Sequence, residues 1–156
     1  MTQRCAPSRL PVLLLLIVIS LVIPGCGKGR PRLVKVSGQV FIDGQPLAAG
    51  VPGFIRVVPE GTRPATGQID PQTGRFTLTT YENGDGCVAG THKVAIILNA
   101  MVGQESVSLI DEKYADPETS GLTVTIDKPT DSLRIDISGP LKKVQATPIS
   151  DDPNKF

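Results

Sequence analysis

The chain has 156 residues, with 16 Lys+Arg, 15 Asp+Glu, one His, three Cys and no Trp. This length corresponds to one domain with short extensions. The charges are nearly balanced, so the chain has no long-range positive field that would attract nucleic acid or anionic lipid. The single His excludes every site that requires two imidazoles.

The first 25 residues have the pattern of an export signal. Arg4 and Arg9 precede Leu10–Ile23, an uncharged run of 14 residues with the sequence LPVLLLLIVISLVI. A helix of this length measures about 21 Å, whereas the apolar core of a bilayer is about 30 Å thick and requires about 20 apolar residues. The run is therefore predicted to be the helix of a secretory signal peptide that occupies residues 1–25.

A cysteine follows this signal directly. The sequence Ile23-Pro24-Gly25-Cys26 resembles the lipobox of bacterial lipoproteins, in which a small residue precedes the modified cysteine. The resemblance implies that a diacylglyceryl group is joined to the Cys26 thiol and that the signal is cleaved between Gly25 and Cys26. Two or more acyl chains anchor a protein stably to a membrane. There are two alternatives, both with Cys26 unmodified: ordinary cleavage of the signal, or an uncleaved membrane anchor.

The other two cysteines have different expected fates. Cys5 leaves with the signal peptide, and lipid on Cys26 leaves Cys87 without a partner, so the mature chain has no internal disulfide. Cys87 has no His or Cys at metal-ligand spacing and is expected to be a small buried apolar residue. Residues 26–33 are rich in Gly and basic residues and are interpreted as a tether between lipid and domain.

Seven short segments alternate between apolar and polar residues, as half-buried β-strands do. Turn sequences rich in Gly, Pro and Asp separate most of them, with Asp43–Pro46 and Asp70–Gly74 as the clearest examples. Strands with one apolar face must bury these faces against each other. The residues predicted to face the core are Val34, Val36, Gly38, Val40, Ile42, Ile55, Val57, Ala65, Gly67, Ile69, Phe76, Leu78, Val94, Ile96, Leu98, Leu122, Val124, Ile126, Leu133, Ile135 and Ile137.

These segments predict an all-β domain over residues 34–138, folded as a two-sheet β-sandwich. A long connection is expected over residues 99–120, with one helical turn at Asp111–Ala115. Tyr114 is expected to pack this connection against the sandwich. Residues 139–156 show no sustained period and are interpreted as a flexible tail.

The order and spacing of several motifs resemble the carboxypeptidase regulatory-like domain of small exported bacterial lipoproteins. The resemblance covers residues 34–138 and implies a transthyretin-like (prealbumin-like), seven-stranded Greek-key β-sandwich without peptidase activity. The motifs that carry it are Val36–Val40 (VSGQV), Asp43–Leu47 (DGQPL), Ala65–Asp70 (ATGQID), Gly74–Leu78 (GRFTL), Gly90–Val94 (GTHKV), Glu112–Tyr114 (EKY) and Thr119–Val124 (TSGLTV).

Few residues indicate a catalytic or metal-binding role. His92 has the inward parity of Val94 and is expected to pack at the start of a strand. A zinc site usually needs a second His, and the chain has no Gly-x-Ser-x-Gly elbow for the nucleophile of a Ser-His-Asp triad. The sequence Asn83–Gly86 (NGDG) has a faint likeness to a calcium loop, but a calcium site needs several carboxylates at set spacing, so a plain loop is favoured. No catalytic residue, metal site or cofactor is predicted.

The favoured function is that of a non-enzymatic, lipid-anchored module of the cell envelope, structural or protein-binding, located outside the cytoplasm. The alternative is an envelope module that binds carbohydrate or a small ligand. Exposed aromatic residues near Tyr81 and the 83–90 loop would favour a glycan ligand, whereas a pocket joining His92 to carboxylates would favour an enzyme. The expected partners are the membrane, through lipid on Cys26, and an envelope protein or glycan.

Overall fold

The computed structural model describes residues 30–143. The predicted signal peptide, the cleavage site between Gly25 and Cys26, the lipid on Cys26 and the first half of the tether therefore lie outside the described residues, as do residues 144–156 of the predicted tail. Within residues 30–143 the chain is all-β, and no helix there is long and apolar enough to cross a membrane.

The described chain forms twelve strands, six of them with five residues or more, and one short 3₁₀ helix at Glu112–Ala115. The strands are β1 (Leu33–Val34), β2 (Val36–Ile42), β3 (Gln45–Pro46), β4 (Gly53–Val58), β5 (Ala65–Ile69), β6 (Arg75–Thr77), β7 (Cys87–Val88), β8 (Gly90–Ile97), β9 (Asn99–Val102), β10 (Glu105–Ser108), β11 (Leu122–Ile126) and β12 (Thr130–Ile137).

β2 is the central strand of the first sheet. β12 lies parallel to β2 on one side, from Thr130 opposite Val36 to Ile137 opposite Ile42. Two shorter strands share the other side, with β6 opposite residues 37–39 and β3 opposite residues 41–42. Because parallel neighbours cannot be joined by a tight turn, the chain between β2 and β12 leaves this sheet and returns.

The second sheet is antiparallel throughout, with the strand order β11-β8-β4-β5. β4 and β5 are consecutive in sequence, whereas β8 lies on the other side of β4 after the chain has passed through the first sheet. Two further antiparallel pairs, β1 with β7 and β9 with β10, complete the described strands.

The segment that contains β6 connects the two sheets. Its first part pairs with β2, as Ser37 opposite Thr77 shows, and two residues later Thr79 pairs with Thr66 of β5 through two backbone hydrogen bonds of 2.8 and 2.9 Å. The outward side chains of β4, β5, β6 and β2 therefore follow one another across a continuous surface.

Buried side chains from both sheets form one hydrophobic cluster. The period-2 pattern of the longer strands places one face in this cluster and the other in solvent, and burial of such apolar area is the main stabilising term of a small domain. The arrangement is that of two sheets over a shared core, consistent with a β-sandwich. The first sheet contributes Val36, Val40, Ile135 and Ile137, and the second contributes Ile55, Val57, Ala65, Ile69, Val94, Ile96, Val124 and Ile126.

Each of the seven predicted segments coincides with a strand, and the predicted long connection contains more structure than expected. β9 and β10 form an antiparallel pair within residues 99–120. Both faces of this pair are exposed or half-buried, so its sequence lacks the apolar alternation that identifies a strand.

The turn predicted at Asp43–Pro46 is a two-residue hairpin loop between β2 and β3. Asp43 and Gly44 both have positive φ, at 49° and 81°, and Ile42 pairs with Gln45 across them. Aspartate followed by glycine is the favoured pair for this loop because both residues tolerate the left-handed region.

The expectation for Tyr114 is confirmed. Its ring is buried beside the core, and its hydroxyl donates to the Ser138 carbonyl at 3.1 Å and accepts from the Ser138 backbone N–H at 3.0 Å. The predicted helical turn is the 3₁₀ helix that carries it, and Asp111 caps that helix by accepting from the Lys113 N–H. Beyond β12, Leu141 packs against the core and Lys142 N–H donates to the Leu109 carbonyl at 2.8 Å.

Gly38 supplies a test of the pairing between β2 and β12. A Cβ at this position would collide with the carbonyl oxygen and backbone of Leu133, so β12 must shift to accept it. We expect Gly38→Ala to lower the free energy of unfolding by about 1–3 kcal/mol, as overpacking does, measured by urea denaturation. Ser37→Ala, on the outward face of the same strand, is the matched control, and equal stability of the two variants would contradict this packing.

Candidate functional site

The chain's single imidazole is used inside the fold. His92 is 6% exposed, and its Nε2 lies 2.7 Å from the Val88 carbonyl oxygen. Because a carbonyl only accepts, Nε2 carries the proton and donates, which leaves Nδ1 as an acceptor; Nδ1 is buried without a hydrogen-bond partner in the described structure. The prediction that His92 packs at a strand start is confirmed, since it lies at the third position of β8.

The thiol of Cys87 is also internal. Its side chain is fully buried in the core, and this burial raises the pKa of the thiol from 9.0 to about 11 despite a hydrogen bond with Val88. A protonated, inaccessible thiol is a poor nucleophile and a poor metal ligand. The expectation that Cys87 packs as a small apolar residue is confirmed.

The NGDG segment is a loop organised by one carboxylate. Asp85 accepts from the backbone N–H groups of Thr80 at 2.6 Å, Tyr81 at 2.9 Å and Glu82 at 2.9 Å. Burial raises the pKa of Asp85, but these hydrogen bonds outweigh it and the pKa is lowered overall. Both carboxylate oxygens face donors, which is the reverse of what a cation requires. Among residues 30–143, no three His, Cys, Asp or Glu side chains are grouped in a way that holds a metal ion.

A groove of about 590 Å³ lies on the outward surface that joins the two sheets. The hydroxyls of Ser37 and Thr77 lie 3.1 Å apart on its floor. Gln68 and Asn83 also line it, and Phe54 borders it with 54% of its surface exposed. A large aromatic side chain left in water beside a concave surface is a common feature of binding sites.

A second opening of about 440 Å³ continues from the first across β2 and β12. Both openings are lined by Arg75 and Asp131, so we treat them as one feature, the outer groove. Gln39 lines the second opening and is held in place by a hydrogen bond from its amide nitrogen to the Thr73 carbonyl at 2.6 Å.

An aromatic ring also lies at the β12 side of the outer groove. The Arg134 guanidinium lies 3.7 Å from the centroid of the Phe41 ring. Its N–H groups donate to both oxygens of Asp136, at 2.7–3.0 Å, and this hydrogen bonding holds the pKa of Asp136 below its ordinary value. The ion pair fixes the guanidinium over the ring, so this end of the groove is preorganised.

Sequence reasoning identified the separate strands of the outer groove but missed the groove itself. Most of its lining residues have outward parity, which marks them only as exposed. The registers that bring them together, Ser37 with Thr77 and Thr66 with Thr79, join strands distant in sequence. The sequence names exposed aromatic residues near Tyr81 and the 83–90 loop as an indicator of a glycan ligand, and the exposed Phe54 lines the groove together with Asn83 of that loop. His92, named with carboxylates as an indicator of an enzyme, does not line either opening of the groove.

In comparisons with known proteins, no family model, no curated protein and no solved structure matches the chain.

The carboxylate of Asp85 gives a pH-dependent prediction. Its pKa is lowered in the folded state, so its contribution is present above its unfolded pKa of about 3.9 and is lost as the pH falls through the folded value. We expect Asp85→Asn to lower the free energy of unfolding by about 1 kcal/mol at neutral pH, and this difference from the wild type to shrink on acidification.

The measurement is urea denaturation of both proteins at several pH values from neutral to below the folded pKa. Asp127→Asn, in an exposed loop before β12, is the control and should match the wild type at every pH. A wild-type advantage over Asp85→Asn that persists unchanged in acid would contradict the role of the ionised carboxylate.

Proposed function

We propose that the chain is a non-enzymatic, lipid-anchored β-sandwich module of the bacterial cell envelope that acts through structural or protein-binding contacts. The non-enzymatic part of the proposal rests on one observation: the reactive side chains make contacts within the fold. The imidazole of His92 contacts a backbone carbonyl, the thiol of Cys87 is in the core, and Asp85 holds a loop. Groups arranged in this way stabilise structure instead of facing a substrate.

The proposed fold is the transthyretin-like, seven-stranded Greek-key sandwich of the carboxypeptidase regulatory-like domain. The seven strands are β2, β4, β5, β6, β8, β11 and β12. Two features support it: β8 lies beside β4 and not beside β5, and the first and last of the seven strands lie next to each other. Such returns to an earlier neighbour are typical of Greek-key connections.

The proposed location is outside the cytoplasm, with the domain held at a membrane by acyl chains on Cys26. The support is the uncharged run of 14 residues that ends immediately before Pro24-Gly25-Cys26. Each buried methylene contributes about 0.8 kcal/mol to membrane binding, so two chains anchor stably where one does not.

Carbohydrate is the second candidate partner, and one observation favours it. The outer groove combines the exposed ring of Phe54 with amide and hydroxyl side chains, including Gln68 and Asn83. Protein partners more often bind to surfaces with an apolar centre and a polar rim, whereas most of the side chains that line this groove carry hydroxyl, amide or charged groups.

Labelling with a palmitate analogue tests the anchor. We expect label on the wild type and on Cys5→Ser and Cys87→Ser, because these thiols are not the proposed site, and no label on Cys26→Ser. Labelling is measured by in-gel fluorescence of protein isolated from the expressing bacterium. Undiminished label on Cys26→Ser would exclude lipid attachment at this residue.

Crosslinking in intact envelopes tests the protein-binding role. We expect a tagged chain to recover one protein at equal stoichiometry, and the recovery to be lost when an exposed surface element is replaced. The pair β9–β10 is a suitable element because Met101 on it is 68% exposed; residues 99–108 would be exchanged for a short turn. Replacement of the Asp70–Gly74 turn by another hairpin loop is the control, and the absence of any specific adduct would contradict a protein partner.

A further inference from the structure

The outer groove has the dimensions of a site for an extended ligand. Its two openings, of about 590 and 440 Å³, each lie within the range of about 300–1,000 Å³ that is usual for ligand sites. It crosses β4, β5, β6, β2 and β12 side by side. Because neighbouring strands lie about 4.8 Å apart, the four steps from β4 to β12 span roughly 19 Å. A short polymer fits this shape better than one compact molecule does.

The charges that line the outer groove favour a neutral ligand. Arg75 and Asp131 lie where the two openings meet, one cation with one anion. Within residues 30–143, Arg75 takes part in no ion pair, so its N–H groups remain available as donors. The third charge, Arg134, is already paired with Asp136. An anionic ligand would meet the Asp131 carboxylate, and a cationic one would meet Arg75.

Sugar hydroxyls suit this combination because each hydroxyl both donates and accepts. A hydroxyl can accept from the Arg75 guanidinium and donate to Asp131, while the carboxamides of Gln68 and Asn83 offer both functions along the first opening. A peptide main chain also carries donors and acceptors. However, its side chains require pockets, whereas the described groove is open and is lined mainly by hydroxyl, amide and charged side chains.

Phe54 supplies the apolar contact that a sugar ring requires. Its side chain points outward from β4 between Gln68 of β5 and Ile97 of β8, and 54% of its surface is exposed. The C–H face of a pyranose is apolar and flat, and stacking it on an aromatic ring removes both surfaces from water. The hydroxyls around the edge of the sugar then lie towards the polar lining.

From this juxtaposition of an exposed ring with unpaired polar groups, we propose that the outer groove binds a neutral oligosaccharide. Phe54 is the stacking platform, Arg75 and Asp131 bind hydroxyls at the centre, and the Ser37–Thr77 hydroxyl pair forms the floor. The assignment names the ligand class for the carbohydrate-binding alternative of the proposed function. It rests on the proposed function only in assuming that the domain acts by binding. It does not depend on the lipid at Cys26.

Titration calorimetry of the purified full chain tests this assignment. The protein is held in a non-glycosidic detergent, because glucoside or maltoside head groups would compete for the groove. The probes are cellohexaose, maltohexaose and hexa-N-acetylchitohexaose, which are neutral, and hexagalacturonate, which is anionic. We expect at least one neutral hexamer to bind and to do so more tightly than hexagalacturonate.

Matched variants locate the binding. Phe54→Ala and Arg75→Ala should each raise the Kd of the bound hexamer about tenfold, as loss of a central contact does. Met101→Ala removes an exposed apolar side chain outside the groove, and Arg32→Ala removes an exposed arginine near β1; both should leave Kd unchanged. Phe54→Trp keeps an aromatic face and should retain binding, which separates loss of stacking from misfolding.

Failure of all three neutral hexamers to bind would overturn the assignment, as would equal affinity for hexagalacturonate or unchanged Kd in both groove variants. These results are distinguishable from failure of the proposed function. A chain that carries label on Cys26 and crosslinks to a protein, but binds no hexamer, retains its envelope role and loses only the sugar site. A chain that binds a hexamer but carries no lipid retains the sugar site and loses only the anchor.

Discussion

The structure depends on one constraint: every long strand has one apolar face, and these faces must be buried together. Val36 and Val40 of β2 and Val94 and Ile96 of β8 belong to the same cluster although they lie in different sheets. The segment from Arg75 to Thr79 satisfies this constraint for both sheets, because it pairs first with β2 and then with β5. The same double pairing brings the outward residues of four strands onto one surface, so burial of the core and formation of the outer groove have one cause.

The polar groups inside the domain show a second consequence of this constraint. A buried polar group must find a partner, and the described interior offers mainly backbone atoms. Thr80 donates to the Gly86 carbonyl at 2.6 Å, Ser120 donates to the Val94 carbonyl at 2.6 Å, and Tyr114 bridges to Ser138. His92 Nε2 has such a partner in the Val88 carbonyl, whereas His92 Nδ1 has no partner in the described structure. These buried polar side chains therefore stabilise loops and strand ends. The polar groups that are available for contacts with other molecules lie on the exposed faces.

The difference between what the sequence predicts and what it does not follows from the range of each interaction. Strand parity is local, so the seven strands and the burial of Cys87, His92 and Tyr114 could be inferred from near neighbours. The pair β9–β10 could not, since none of its residues is fully buried and its four-residue strands are too short for a clear apolar alternation. The outer groove could not either, because register between distant strands depends on the packed core and not on adjacent residues.

Connectivity also constrains how the domain presents its surfaces. Leu33 pairs with Val88, two residues before β8 begins, whereas β9 follows directly after β8 ends. The eight residues of β8 extend roughly 26 Å at about 3.3 Å each, so the entry of the chain at β1 and the β9–β10 pair lie at opposite ends of the sheet. The outer groove runs across the strands between these ends. A polymer bound at the proposed site would therefore cross the flank of the domain and leave both the β1 end and the β9–β10 end uncovered.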